Sequence, residues 1–212
     1  MTGQDKQPKK RKSKTRERII RAARDVFMEM GIDKAFIKEI ADRAGVSRPT
    51  VYRHFSSIYQ LAVEVELLMF EEAFQGFKGL DGIETDSVFG FRRLHHAWLD
   101  VLIEHPAYIR YCINFDQVFS GSDFPEALRQ EFRSRAANIS SFRDMNRTLG
   151  RILKPGIDPE DAIILLSESV MGIVQKMTVN RFHPLWTEKY QVHRIAHLML
   201  DLLLDGLCRE EE

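Results

Sequence analysis

The chain has 212 residues, 44% of them hydrophobic and 29% charged, enough apolar content to bury a core without staples. No run approaches the ~20 uncharged apolar residues of a membrane helix. The N-terminal MTGQDKQPKKRKSK lacks the apolar segment of a secretory signal, and Cys112 and Cys208 lie far apart with no C-x-x-C partner. These features predict a cytoplasmic protein without a disulfide framework or a Cys-rich zinc site. The formal net charge is zero, yet the first 60 residues hold 15 Lys/Arg against 7 Asp/Glu, and the rest hold 16 against 24. A basic head on an acidic body suits a polyanionic partner, a solvated basic tail being the plainer alternative.

In chain order, residues 1–14 are polar and basic, with no apolar anchor, and are expected to form a disordered arm. From Thr15 the pattern turns helical: Ile19, Ala22/Ala23, Val26/Phe27 and Met30 recur at three- and four-residue steps, and Gly31 is the expected stop. Ile37, Ile40, Ala41 and Ala44 mark one face of a second, short helix that Gly45 ends. Ser47 is the expected N-cap of a third, with Pro49 in its first turn, where a missing N–H costs little. Ser56 or Ser57 opens a longer helix with Leu61, Val65, Leu68/Met69 and Phe74 on its apolar face.

The remainder also reads helical. Asp86 or Ser87 opens a helix to about His105, and Pro106 starts one bearing Tyr108, Tyr111, Cys112, Phe115 and Phe119. Asp123 and Glu126 have capping-box spacing ahead of a long face running from Leu128 through Phe132 and Phe142 to Leu149. Lys154-Pro155-Gly156 breaks it, and Asp158-Pro159-Glu160-Asp161 combines a cap, Pro at the first helical position and acids at the positive end of the dipole. That helix runs to about Asn180; His183-Pro184 is a second break, and the last helix spans Thr187 to about Leu207. With no alternating strand runs, hairpin turns or repeats, the predicted class is all-α.

Residues 15–60 read as a helix-turn-helix domain. Two helices meet at Ala44-Gly45-Val46-Ser47, where glycine takes a backbone angle other residues resist. On the second, Val51 and Phe55 face back into the domain, and Arg48, Pro49, Thr50, Tyr52, Arg53 and His54 lie on or near the other side. Arg grips guanine O6 and N7 with two hydrogen bonds, Pro and the Thr methyl suit a thymine methyl, and Tyr, His and Ser donate to phosphates. The full predicted DNA-contact set adds Lys14, Thr15, Lys38 and Ser47.

The run IIRAARDVFMEMG…IKEIADRAGVSRPTVYRHFSSIYQLAVEV, residues 19–65, resembles the tetracycline-repressor (TetR) family of bacterial transcription regulators. It has the family's A…F…G first helix, its IA…AGVS second helix and turn, its TVYRHF recognition helix and the Leu of helix four. Two positions depart from the family pattern. Ala35-Phe36-Ile37 stands where the family has Thr near the start of helix two, and Ile58 stands at a common Lys. The basic arm and Lys38 are the candidates to replace that phosphate-directed chemistry.

The resemblance implies a homodimer with one recognition helix of each subunit in successive major grooves of a near-palindromic operator. It also implies an effector-binding and dimerisation domain over residues 61–212. Consistent with pairing, residues 162–177 and 195–207 are apolar nearly all round. The expected dimer residues are Ile164, Met171, Gly172, Leu198, Leu202 and Leu203; two central core helices of a monomer are the alternative. The implied effector pocket draws on His95, Trp98, Tyr108, Tyr111, Cys112, Phe115, Phe119 and Phe142, a wall that suits a small hydrophobic or amphipathic ligand. For each of these residues an ordinary core position is the competing assignment.

No G-x-S-x-G, phosphate loop, H-E-x-x-H or Rossmann glycine set occurs, so no enzyme activity or cofactor is expected. His95, His96 and His105 suggest no metal site, because adjacent helical residues point about 100° apart and no acid completes a set. The predicted function is a repressor released from its operator by ligand. The alternative is a DNA-bound adaptor of the same fold that recruits a protein partner.

Overall fold

A computed structural model describes residues 6–74, 87–137, 149, 151–179 and 189–210. Among them are nine helices: α1 (Lys6–Met30), α2 (Ile37–Ala44), α3 (Arg48–His54), α4 (Ile58–Phe74), α5 (Val88–Glu104), α6 (Pro106–Phe119), α7 (Glu126–Ala137), α8 (Pro159–Val179) and α9 (Lys189–Leu207). The class is all-α, and the β feature recorded among the described residues is one bridge between Leu153 and Cys208. Two compact units emerge, Met1–Phe70 with Tyr111–Phe132, and Glu71–Arg110 with Arg133–Glu212. Phe142 and the His183-Pro184 break lie outside the described residues.

In the first unit, α1 begins at Lys6 rather than Thr15, so residues 6–14 are helical where a disordered arm is expected. Lys, Arg and Gln lose little freedom in a helix. Pro8 falls among the first four residues, whose amides have no intrahelical partner. The buried stretch Ile19, Ala23, Val26 and Phe27 anchors the helix from which these turns propagate. Gly31 ends it as expected, with φ 87° and its N–H donating to the Phe27 carbonyl at 2.9 Å. The Glu29 carboxylate pairs with both Arg43 amine groups at 2.5 and 2.7 Å, linking α1 to α2. That hydrogen-bonded guanidinium holds the Glu29 pKa below its ordinary value.

At the α2–α3 turn, Gly45 adopts φ 62°, ψ 42°, with its N–H on Asp42 O at 3.2 Å and the Val46 N–H on Ala41 O at 3.0 Å. This is the two-bond Schellman closure of a helix C-terminus. Arg18 of α1 reaches across to donate to the Ala44 carbonyl at 2.5 Å. On α4 every residue from Leu61 to Glu66 is buried, including both glutamates. Arg16 meets Glu64 at 2.8 Å.

The Asp123 cap is not made. Phe124 N–H closes a turn on Gly121 O at 3.2 Å, and the Pro125 carbonyl accepts from Leu128 N–H at 3.0 Å, so Pro125 is the cap and α7 starts at Glu126. Asp158 does cap α8, accepting from Glu160 and Asp161 N–H at 2.8 and 3.2 Å. In the second unit, Ala162, Leu166, Val170, Val174 and Met177 of α8, and Ala196, Leu200, Leu204 and Leu207 of α9, are buried at near-four-residue spacing. The strand-like segment after α9 closes on the chain before α8 through Lys154 N–H to Leu207 O and Arg209 N–H to Ile152 O, both 2.9 Å.

The left-handed turn predicts the cost of filling it. A Cβ at Gly45 would take a disfavoured backbone angle and stand 3.2 Å from Arg18 Nη2. Gly45→Ala is expected to lose about 1–2 kcal/mol, read from urea unfolding midpoints; an unchanged midpoint would contradict the assigned strain.

Candidate nucleic-acid interface

The interface is built on α3. Ser47 caps it, its Oγ accepting from Thr50 N–H at 3.4 Å and lying 3.0 Å from Thr50 Oγ1. Pro49 occupies the first turn, where no amide is needed. Val51 and Phe55 are fully buried and fix the inward face. The Arg16 guanidinium lies 5.0 Å over the Phe55 ring, holding that face to α1.

This anchoring leaves Arg48, Pro49, Tyr52 and Arg53 exposed on one continuous arc of α3, with Tyr52 56% accessible. Thr50 and His54 are half-buried at the margins. Ser47, Lys38 and Lys14 are also exposed, and Thr15 is half-buried. Arg48 and Tyr52 line an open groove of about 700 Å³ together with Phe36, Lys38, Ser56 and Ile58. The groove thus joins α3 to the starts of α2 and α4, where backbone amides point outward.

The two departures from the family pattern have defined local consequences. Phe36 is the N-cap of α2 and offers no side-chain acceptor; it stands 67% exposed. Glu39 supplies half of a capping box instead, its carboxylate accepting from Phe36 N–H at 3.0 Å. At α4 the cap is Ser57, which accepts from Gln60 N–H at 3.2 Å. The Gln60 side chain in turn accepts from Ser56 N–H at 2.7 Å. Ile58 is half-buried in the first turn and contributes no charge.

The predicted pocket residues fall into two groups, one in each unit. Tyr111, Cys112 and Phe115 are buried in the first unit. Tyr111 Oη donates to Ala62 O at 2.8 Å, and its burial pushes the phenol pKa up. Phe115 and Phe119 join Phe124 and Phe132 in a ring cluster with centroid separations of 5.0–6.3 Å. Glu66 Oε1 lies 3.7 Å from Cys112 Sγ, a buried acid that the apolar face of α4 did not signal. In the second unit Tyr108 is buried, and His95 is buried between Phe91 and Trp98, at ring-centroid distances of 4.1 and 6.1 Å.

Of the predicted dimer residues, Ile164, Leu198 and Leu202 are 53%, 53% and 64% exposed. Gly172 is exposed with open space beside it, and Met171 and Leu203 are half-buried. Leu165 adds to this apolar surface. No helix among the described residues is long and apolar enough to cross a membrane.

A capped three-helix head with an exposed basic recognition helix defines a helix-turn-helix class of DNA-binding regulator. Residues 19–65 match the family described as bacterial regulatory proteins, tetR family. The transcriptional activator FasR of Mycolicibacterium smegmatis is 37% identical over 90 residues, 42% of this chain and 41% of FasR. The regulator SrpR of Pseudomonas putida is 50% identical over 42 residues, 20% of each chain. These matches therefore span less than half of either relative. Among solved structures, NalD, the secondary repressor of a multidrug efflux pump in Pseudomonas aeruginosa, superposes with TM-score 0.65 at 23% identity, covering 94% of this chain and all of NalD. FadR of Bacillus subtilis in complex with stearoyl-CoA gives TM-score 0.63 at 19% identity, over 90% and 98% of the two chains. The head of the chain, residues 19–65, is thus similar to the DNA-binding region of bacterial regulatory proteins of the tetR family, and the whole chain shares its fold with solved transcription regulators.

His95 supplies a pH signature of the body. Burial lowers its pKa from 6.5 to about 4, with His96 adding to the shift and the 2.9 Å bond to the Phe91 carbonyl opposing it. Between those values the unfolded chain binds a proton that the folded chain does not. Stability therefore falls as pH drops through this window, by up to about 3 kcal/mol from this group. His95→Phe should flatten the corresponding part of the stability–pH curve; an unchanged slope would show that His95 is not held neutral.

Proposed function

We propose that this protein is a cytoplasmic, homodimeric repressor that reads a palindromic DNA operator with α3 and leaves it on binding a small hydrophobic or amphipathic ligand. The observation that carries the DNA part is the exposed arc of Arg48, Pro49, Tyr52 and Arg53 on a helix whose other side is locked by Val51 and Phe55. In this reading Arg48 contacts a base edge. Pro49 and Thr50 meet a thymine methyl, Tyr52, His54, Ser47 and Lys38 hold phosphates, and Lys14 and Thr15 add contacts from α1. Dimerisation through α8 and α9 would set two such helices on half-sites about 34–36 Å apart.

Lipophilic ligand chemistry is supported by the aromatic character of Tyr108, Tyr111, Phe115, Phe119 and Trp98, and by the stearoyl-CoA bound to the similarly folded FadR. Repression is favoured by NalD, itself a repressor, while FasR is an activator. By linkage, a releasing ligand must bind more weakly to the DNA complex by the factor that it weakens DNA binding.

Binding-site selection with the purified full chain gives the operator, and fluorescence anisotropy then tests the roles. Arg48→Ala is expected to cost about 1–3 kcal/mol on the operator and to relax one base position. Equal losses on operator and random DNA would remove the base-reading role. Long-chain acyl-CoA added to the operator complex should lower DNA affinity. Unaltered affinity across lipophilic probes, with a protein retained on the operator complex, would favour the adaptor instead.

The dimer has its own test. Leu198→Glu and Leu202→Glu place a charge on an exposed apolar surface, where a monomer would tolerate it. Sedimentation should show loss of the dimer in both variants with unchanged helical content; a dimer that persists would place the interface elsewhere.

A further inference from the structure

Within the second unit, a polar seam runs between α5 and α9. Arg92, His96 and Asp100 lie four residues apart on α5, and His193, His197, Asp201 and Asp205 lie four apart on α9, so each set shares one helix face. At one end the Arg92 guanidinium meets Asp205 and stands 3.7 Å from Asp201. At the other, Asp100 Oδ1 lies 2.9 Å from His197 Nε2 and 3.0 Å from His193 Nε2. Between them His96 bridges, its Nε2 2.9 Å from Asp201 Oδ1 and its Nδ1 2.6 Å from His197 Nδ1, the two rings edge to edge and 3° from parallel.

The hydrogens on this seam do not balance for two neutral imidazoles. If His96 and His197 each donate Nε2–H to a carboxylate, their facing Nδ1 atoms are two lone pairs at 2.6 Å. A cation on His197 Nε2 removes the conflict. His197 Nδ1–H then donates to His96 Nδ1, and His96 Nε2–H donates to Asp201. Both ring nitrogens of His96 and of His197 then have a partner.

We propose that Asp100, His193 and His197 form a divalent transition-metal site, of which zinc is the fitting ion, with His96 and Asp201 as its orienting outer layer. The three donor atoms already lie within 4.8 Å of one another. A tetrahedral zinc with bonds of about 2.0–2.2 Å needs donors ~3.3 Å apart, so small side-chain rotations complete the set. Two imidazoles and a carboxylate select zinc-like ions over magnesium or calcium, which take oxygen ligands. An open groove of about 580 Å³ lined by His193, Arg194, His197, Leu198 and Asp201 adjoins the two histidine ligands, which gives an ion an entry path and leaves room for water as a fourth ligand. The outer layer is a relayed form of the hydrogen bond that fixes metal-bound histidines generally: the second ring nitrogen of His197 bonds to His96, which passes the bond on to Asp201. Bound zinc would tie α5 to α9 next to the exposed Leu198.

The test is zinc titration of the untagged full chain by calorimetry, with cobalt(II) absorption as a spectroscopic check. The expected result is one zinc per chain, a rise in melting temperature, and a cobalt spectrum of tetrahedral nitrogen–oxygen ligation without thiolate charge transfer. His193→Ala, at an exposed position, and Asp100→Asn should each abolish stoichiometric binding while the metal-free variants keep the wild-type circular dichroism. His96→Phe should keep the stoichiometry and weaken affinity roughly 10–100-fold. Zinc binding that is substoichiometric, that survives both ligand substitutions, or whose melting shift magnesium reproduces would overturn the site.

Discussion

The first unit turns on the carbonyls at the end of α2. A helix C-terminus leaves its last carbonyls without amide partners. Here Asp42 and Ala41 are satisfied by the left-handed turn through Gly45, and Ala44 by Arg18 from α1. Both closures act on the same four residues, so the direction in which the chain leaves α2 is set twice. The start of α3 follows directly, because Ser47 caps it two residues after the glycine. Once α3 is aimed, Val51 and Phe55 can enter the core only in one rotation, and the exposed arc is the remainder.

The groove beside that arc has an unusual chemical balance. Phe36 puts an apolar ring where a hydroxyl would both cap α2 and donate outward, and Glu39 compensates the cap with a carboxylate. The compensation satisfies the Phe36 amide but brings negative charge to the positive end of α2. Ile58 likewise leaves the start of α4 uncharged. Cationic chemistry around the groove therefore concentrates on Arg48, Lys38 and Arg53.

The second unit solves a different problem. Its helices α8 and α9 bury one stripe each and keep a second apolar surface exposed at Ile164, Leu165, Leu198 and Leu202. Between α5 and α9 there are also two carboxylate–imidazole groups and an arginine pair. Such a seam is worth little as exposed ion pairing alone. Its specificity lies in geometry, because each charged group has a complement only in one register of the two helices.

Local chemistry was legible in the chain itself. Gly31 and Gly45 as helix ends, Ser47 and Asp158 as caps, and the inward Val51 and Phe55 all follow from backbone rules acting within four residues. The sequence by itself therefore determined the all-α class, the helix-turn-helix and the exposed recognition face. It did not determine where α1 starts, because basic residues without an apolar anchor suit both a tail and the extension of an anchored helix. Asp123 lost its cap to Pro125, a competition between two plausible starts two residues apart. Only the tertiary structure decided what separated segments make together. Glu64 and Glu66 are buried because other helices cover every side of α4, and Tyr111 and His95 lie in different units although both read as pocket aromatics. His193 and His197 have metal-binding spacing on one helix, but Asp100 and His96 reach them from a helix nearly a hundred residues away, and periodicity along a chain carries no information about which two faces will meet.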